Sequence, residues 1–396
     1  IRISADTLRE WMLADPEAEI FSITQADVSE VCRCDRCVAA YKRYTTRAGS
    51  DLDHIVAFGG LAGRNLYFAN QIAKILEKEF PHKRIGVWAY QPSRNPPRNI
   101  MAHRNVYVWF NPIESCQCHP IGRGPLNRRS PLKPGFFGVV DDSESKSYYQ
   151  PGGMYDARFL DFCNGIRQWQ LITERSVYIF HPSGYMYDWP LDLLTLGETV
   201  RTYRNLGVQG VLIDSVVDIQ TGFGFCRYWL WSQLLRNPDF DPEWGLRQFL
   251  DAYYGAAAVH IDAFIRLASN PRMYEPMNEQ SAGVWASRDS LVWDQVVLGC
   301  KLGSRLLTRE AIEQGYELFV KALKATQTDA KAHRHVQAAR MLLQYIMLRQ
   351  LPADDPRLKT EVASLLSLAK ELEMPSIDYT PIDKYEKNLR ERIGEW

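Results

Sequence analysis

The 396-residue chain balances 47 lysines and arginines against 47 aspartates and glutamates, so it presents no net basic field for nucleic acid. No apolar run approaches the roughly 20 residues of a helical bilayer span, and the length suits one large domain plus a second unit. The 11 Trp, 20 Tyr and 16 Phe suit a carbohydrate binder, whose sugar faces stack on rings, as well as the core of a large α/β fold.

The chain opens on Ile1-Arg2-Ile3 without an initiator methionine, signal peptide or cap, which reads as an internal fragment or a processed chain. Leu8, Trp11 and Met12 predict a helix over Thr7 to Ala14, stopped by Asp15-Pro16. Glu19 to Thr24 reads as a short buried strand. Leu66, Ala69, Ile72, Ala73, Leu76 and Phe80 share one face of a helix predicted over Arg64 to Phe80, ended by Pro81. Strands are predicted over Ile85 to Tyr90, Val106 to Phe110, Ser176 to His181 and Val208 to Asp214, with helices at about Phe159 to Thr173 and Leu194 to Leu206 before the last two. Strand, crossover helix and strand in repetition predict a parallel α/β sheet or barrel. One link departs from that scheme, because PSRNPPRNIMAHRN between Tyr90 and Val106 is too rich in proline for a crossover helix.

Gly122 to Arg158, heavy in Pro, Gly and Ser, reads as a long loop of the kind that forms a lid, an insertion or a disordered segment. Beyond about Asp241 the strands are expected to stop. Helices are predicted over Trp244 to Tyr254, Ala257 to Ala268, Asp289 to Leu307, Arg309 to Thr326, Ala330 to Arg349 and Pro356 to Leu372. The expected organisation is a barrel segment over residues 1–240 and an α-helical domain over 241–396.

In a parallel α/β barrel, chemistry sits where the strands end. Those exits carry Gln25 and Asp27, then Tyr90 and Gln91, then Asn111 and Glu114, then His181, Tyr185, Tyr187 and Asp188, and last Asp214 and Asp218. Carboxylates, amides and aromatics at one rim make the chemistry of a glycoside hydrolase, which needs a carboxylic acid for the leaving oxygen and a second group for the oxocarbenium-like centre. Any one of these carboxylates serves equally well as a helix cap or an ion-pair partner.

The ordered blocks FSITQADVSEVCRCDRC, VWAYQPSRNPP, NVYVWFNPIESCQCHP, GVQGVLIDS and NPDFDPEWGLRQFLDAYYGAAA, over about residues 5 to 265, resemble the DUF4838 family. That family is associated with glycoside hydrolase family 163, endo-acting β-N-acetylglucosaminidases of complex N-glycans. The resemblance implies a TIM (β/α)8-type barrel whose first strands lie before Ile1, an extracytoplasmic enzyme, a glycan or glycoprotein substrate, and no cofactor. It implies Glu114, the Glu of the family's "IEC" block, as general acid/base. Asp27, the Asp of "SQND", is implied to orient the substrate 2-acetamido group for a retaining, substrate-assisted reaction; an ordinary nucleophile and acid pair is the other possibility.

Gln25, Tyr90, Gln91, Asn111, His119, His181, Tyr185, Tyr187 and Asp214 complete the expected substrate-binding set, while Trp109, mid-strand, reads as core. Ala26 stands where the family has Asn, and Ile213-Asp214 replaces its Glu-Gln, moving the acid by one position. Two alternatives are a glycosidase of other specificity, glucosaminidase or α-glucuronidase-like with Arg94, Arg98 and Arg123 on a uronate, and a non-catalytic glycan-binding barrel.

Five of the eight cysteines fall in two clusters, Cys32, Cys34 and Cys37, and Cys116 and Cys118 beside His119. Disulfides or buried thiols are the favoured reading. A structural zinc is the second, and a catalytic metal is not expected. His119 reads as a hydrogen-bonding rim residue.

Overall fold

A computed structural model describes residues 1–25, 31–47, 49, 51–112, 155–174, 176–182, 193–214, 222–270, 274–276, 305–377 and 380–394. By their contacts they fall into two compact units. The first comprises Ile1–Glu114, Ala157–Pro182 and Tyr203–Asp214, and the second Ser115–Asp156, Ser183–Thr202 and Ser215–Trp396.

The first unit holds a parallel sheet of β1 (Ile20–Ser22), β2 (Arg84–Ala89), β3 (Val106–Phe110), β4 (Val177–Pro182) and β5 (Val211–Asp214), hydrogen-bonded in sequence order. It is a curled half-barrel. The expectation is a (β/α)8-type barrel that the chain enters midway; the described residues form five parallel strands of such a curl.

Helix α1 (Arg2–Ala14) buries Ala5, Leu8 and Met12, one stripe at helical spacing, and packs on α4 (Leu61–Leu76). Between them in sequence lie α2 (Asp35–Tyr44) and the one-turn α3 (Leu52–Ile55). Helix α4 buries Leu66, Ala69, Ile72, Ala73 and Leu76 and lies against β2. Ahead of it, Gly59 has φ 95°, and a Cβ there would stand 2.7 Å from the Pro96 carbonyl oxygen, so glycine lets the two backbones meet.

The link from β2 to β3 contains no α-helix, as its prolines require. Backbone bonds such as Arg98 N–H to the Tyr44 carbonyl hold it, together with asparagine side chains that bond from it and to it. Asn95 Nδ2 donates to the Ala57 carbonyl at 2.9 Å. Asn70 of α4 donates to the Met101 carbonyl and accepts from the His103 N–H, both at 2.8 Å. Asn105 Nδ2 donates to the carbonyls of Pro81 and Lys83. Helix α5 (Tyr155–Ile172) then precedes β4, and α6 (Leu196–Asn205) precedes β5.

The second unit is built mainly of α7 (Gly224–Arg236), α8 (Pro242–Tyr254), α9 (Ala258–Ala268), α10 (Arg309–Ala325), α11 (Ala330–Gln350), α12 (Leu358–Glu371) and α13 (Ile382–Arg392), each packed on the next. Asp241, Thr308 and Asp329 cap α8, α10 and α11 through their side-chain oxygens. Glu361, 2 % exposed, accepts from Gln344 Nε2 at 2.8 Å and from the Arg340 guanidinium.

Strands do not stop at Asp241. β6 (Tyr274–Pro276) and β7 (Arg305–Leu307) pair antiparallel, and Ser376–Ile377 pairs with Thr380–Pro381. The helix predicted up to Leu307 is corrected at its end, because pairing with residues 30 positions away overrides local helical spacing.

Candidate functional site at the carboxyl edge of the sheet

Because all five strands are parallel, their carboxyl ends share one edge. The ladder sets Trp88 level with Trp109, Trp109 with Tyr178, Phe180 with Leu212, and Pro182 with Asp214. Side chains alternate along a strand, so Trp88, Tyr90, Trp109, Asn111, Tyr178, Phe180 and Asp214 belong to one face. Ring contacts bear this out: Tyr107, Trp109 and Tyr178 meet edge to face with centroids 4.9 to 5.4 Å apart. The Trp88 and Phe180 rings are 4.8 Å apart although β3 lies between their strands. Two strand spacings amount to roughly 10 Å, so both rings lean over β3 on the inner side of the curl.

At the amino end of this aromatic face, Arg84 donates to the Tyr178 hydroxyl at 2.7 Å and to Ser176 Oγ at 2.8 Å, and its guanidinium lies over the Tyr107 and Tyr178 rings. Gly86 makes room for Tyr107, whose hydroxyl would stand 2.4 Å from a Cβ at that position. Burial pushes the Tyr107 phenol up to about 12. Trp109 is buried as expected of core, and its Nε1 donates to Ser22 Oγ at 3.2 Å. Trp88 and Phe180, like Tyr178, are half-buried.

The sequence-predicted residues divide as follows. Tyr90 and Asn111 are buried at the edge on the aromatic face, and the Asn111 N–H extends the ladder to the Ala89 carbonyl at 3.1 Å. Ser93 Oγ lies 3.0 Å from the carbonyls of both Trp88 and Tyr90, which folds the chain back just after β2; Gln91 opens that 3-10 turn. Gln25 is half-buried beyond β1, where its Oε1 accepts from Asn65 Nδ2 at 2.7 Å. Asp214 is half-buried at the end of β5.

His181 is set apart. It is level with Ile213, on the face that carries Val177 and Ile179, and is 2 % exposed. Its Nδ1 lies 2.8 Å from the hydroxyl of Tyr203 on α6. Full burial keeps the Tyr203 phenol well above its ordinary value, hence protonated and able to donate. Strand parity thus turns His181 into the helix-packed side, away from the other edge residues. Asp27, Glu114, His119, Tyr185, Tyr187, Cys116 and Cys118 lie outside the described residues.

Trp88, Phe180 and Asn65 were not singled out from the sequence. Parity could have found Trp88, two residues before Tyr90 and therefore on the same face.

The first cysteine cluster stands beside the segment that follows β1. Cys32, Cys34 and Cys37 carry free thiols whose sulfurs all lie within 4.8 Å of one another. Cys32 and Cys34 are exposed and Cys37 is half-buried, which departs from the expected buried thiols. Cys34 is the N-cap residue of α2. The backbone N–H of Cys37, the neighbouring thiols and the N–H of Arg36 bring its thiol down to about 7. Desolvation raises Cys37 to about 11, with the other two sulfurs adding to the shift. Tyr41, fully buried, donates to the Cys32 carbonyl at 3.2 Å and accepts from the Arg64 guanidinium at 2.9 Å.

The family model for DUF4838, a domain of unknown function, matches residues 1–129 and 148–266, more than half of the chain. The chain belongs to the DUF4838 family. No curated protein and no solved structure matches it. The match takes in every strand of the DUF4838 half-barrel, the three-thiol cluster, and both predicted carboxylates, Asp27 and Glu114.

Proposed function

We propose that this DUF4838 chain is a glycoside hydrolase, a retaining endo-β-N-acetylglucosaminidase acting on N-glycans outside the cytoplasm, with its half-barrel part of a (β/α)8-type barrel. The supporting observation is the shared carboxyl edge, where an aromatic face ends in amide, phenol and carboxylate groups. In sequence, Asp27 follows β1 and Glu114 follows β3, the two strands that flank β2. The exits of those strands are roughly 10 Å apart, a span that one pyranose ring can bridge.

In this reading Glu114 gives its proton to the glycosidic oxygen as the bond to C1 breaks. The carbonyl oxygen of the substrate's own 2-acetamido group attacks C1, and Asp27 accepts a hydrogen bond from the acetamido N–H, which orients it and supports the positive charge. Glu114, now a carboxylate, takes a proton from the water that opens the cyclic intermediate, and two inversions leave the configuration retained. Gln25, Tyr90, Asn111 and Asp214 bind sugar hydroxyls, together with Gln91, His119, Tyr185 and Tyr187. Trp88 and Phe180 offer a stacking surface. His181 supports the sheet.

The test is incubation with a complex N-glycoprotein and mass spectrometry of released glycans. Release that Glu114→Gln abolishes and a thiazoline analogue of N-acetylglucosamine inhibits is the expected result. Glycan binding without release would instead mark a glycan-binding barrel.

A further inference from the structure

We propose that Cys32, Cys34 and Cys37 form a three-thiolate site for one zinc ion, which ties the start of α2 to the residues just before it. The geometry carries the argument. Zinc–sulfur bonds of about 2.3 Å in a tetrahedron place ligand sulfurs about 3.8 Å apart. The three sulfurs here are already within 4.8 Å of one another, so small side-chain rotations close the set. The ligands come from a six-residue stretch, with Cys34 and Cys37 on the first turn of one helix.

The surroundings fit a held metal. The Arg36 and Cys37 backbone N–H groups at the start of α2 face the Cys34 sulfur and fix its position. Tyr41 holds the Cys32 carbonyl and is itself held by Arg64, so the loop is braced from outside the ligand set. Cys37 and Val31 pack against the buried cluster of Tyr41, Ile55, Val56 and Leu61, which anchors both sides of the stretch. Zinc takes four ligands; water or a further side chain completes the set.

A redox pair is the competing use of Cys34-Asp35-Arg36-Cys37, since one thiol is lowered and the other raised. A dithiol couple uses two sulfurs, however, and leaves the convergence of Cys32 on the same point without a purpose. Three converging sulfurs favour the metal.

The experiment uses the whole chain, produced with zinc in the medium and purified without chelator. Zinc is quantified by elemental mass spectrometry, and each cysteine's alkylation is mapped before and after a mercurial displaces metal. About one zinc per chain is expected, with Cys32, Cys34 and Cys37 protected until displacement. Cobalt substitution is expected to give a thiolate charge-transfer band of at least three sulfurs, and Cys34→Ser to weaken binding at least about tenfold. Less than about 0.2 metal per chain overturns the proposal, as does a disulfide within the cluster or zinc that leaves these three thiols open to alkylation. The readouts on the unsubstituted chain hold even if Cys34→Ser fails to fold. They are independent of glycan release, so this site and the proposed activity stand or fall separately.

Discussion

Asn65 of α4 donates from Nδ2 to Oε1 of Gln25 at 2.7 Å, which orients the amide just beyond β1. With its oxygen engaged, the Gln25 amide is turned so that its NH2 is left to donate elsewhere. Asn65 therefore acts as a positioning residue for a predicted sugar contact. Asn65→Leu should lower kcat/KM for glycan release about fivefold, the worth of one net hydrogen bond near 1 kcal/mol. Most of that loss should fall in KM, with little change in Tm. A fall in Tm with KM unchanged would make the pair purely structural.

The Trp88 and Phe180 rings stand half-buried, 4.8 Å apart, on the inner side of the curl. Replacing Trp88 by Leu keeps an apolar side chain against Phe180 but removes the flat surface. The expected outcome is a rise in KM of about tenfold, as loss of an aromatic stacking partner worth roughly 1 kcal/mol or more predicts. Michaelis kinetics on a defined glycopeptide decides the matter. An unaltered KM would place the glycan elsewhere on the edge.

His181 and Tyr203 are buried together, 2.8 Å apart between Nδ1 and the hydroxyl. Tyr203→Phe keeps the ring and deletes the hydrogen bond, leaving a buried imidazole nitrogen to be satisfied. That should cost about 1–3 kcal/mol, seen as a lower Tm in calorimetry, with KM for glycan unchanged. A raised KM at unchanged Tm would return His181 to the substrate site.

The long amphipathic helices were legible because their stripes are complete: Leu66, Ala69, Ile72, Ala73 and Leu76 lie where helical spacing puts them. Helices α2 and α13 were missed for the opposite reason. Each buries only two side chains, Tyr41 and Tyr44 in one and Tyr385 and Leu389 in the other, so the apolar signal is too thin to read. The strand at Arg305–Leu307 depends on a partner far away in sequence, which no local pattern reveals. At the candidate site, strand exits were legible but side-chain direction was not. Position alone made His181 look like Tyr90 and Asn111. Only the ladder shows that it shares a face with Ile213, and that Asp214, moved one position from the family's acid, shares one with Phe180.

In the second unit, Arg357 grips Asp355 at 2.8 Å and Glu313 at 2.6 and 2.9 Å. The Arg357 guanidinium, chiefly by hydrogen bonding, lowers the Asp355 carboxyl from 3.8 to about 2. A carboxylate lowered on folding stabilises the fold above its unfolded value, and that contribution disappears as pH falls through its folded value. The window here runs from about pH 4 down to about pH 2. Across it the ion pair should give up roughly 2 kcal/mol at most, the equivalent of the shift. Urea unfolding of the chain and of Asp355→Asn should therefore differ at pH 6 and draw together as pH falls to about 2, where the native aspartate is about half protonated. A gap that persists unchanged at pH 2 would mean that Asp355 acts through packing and its bond to the Arg357 backbone N–H, with its charge contributing nothing.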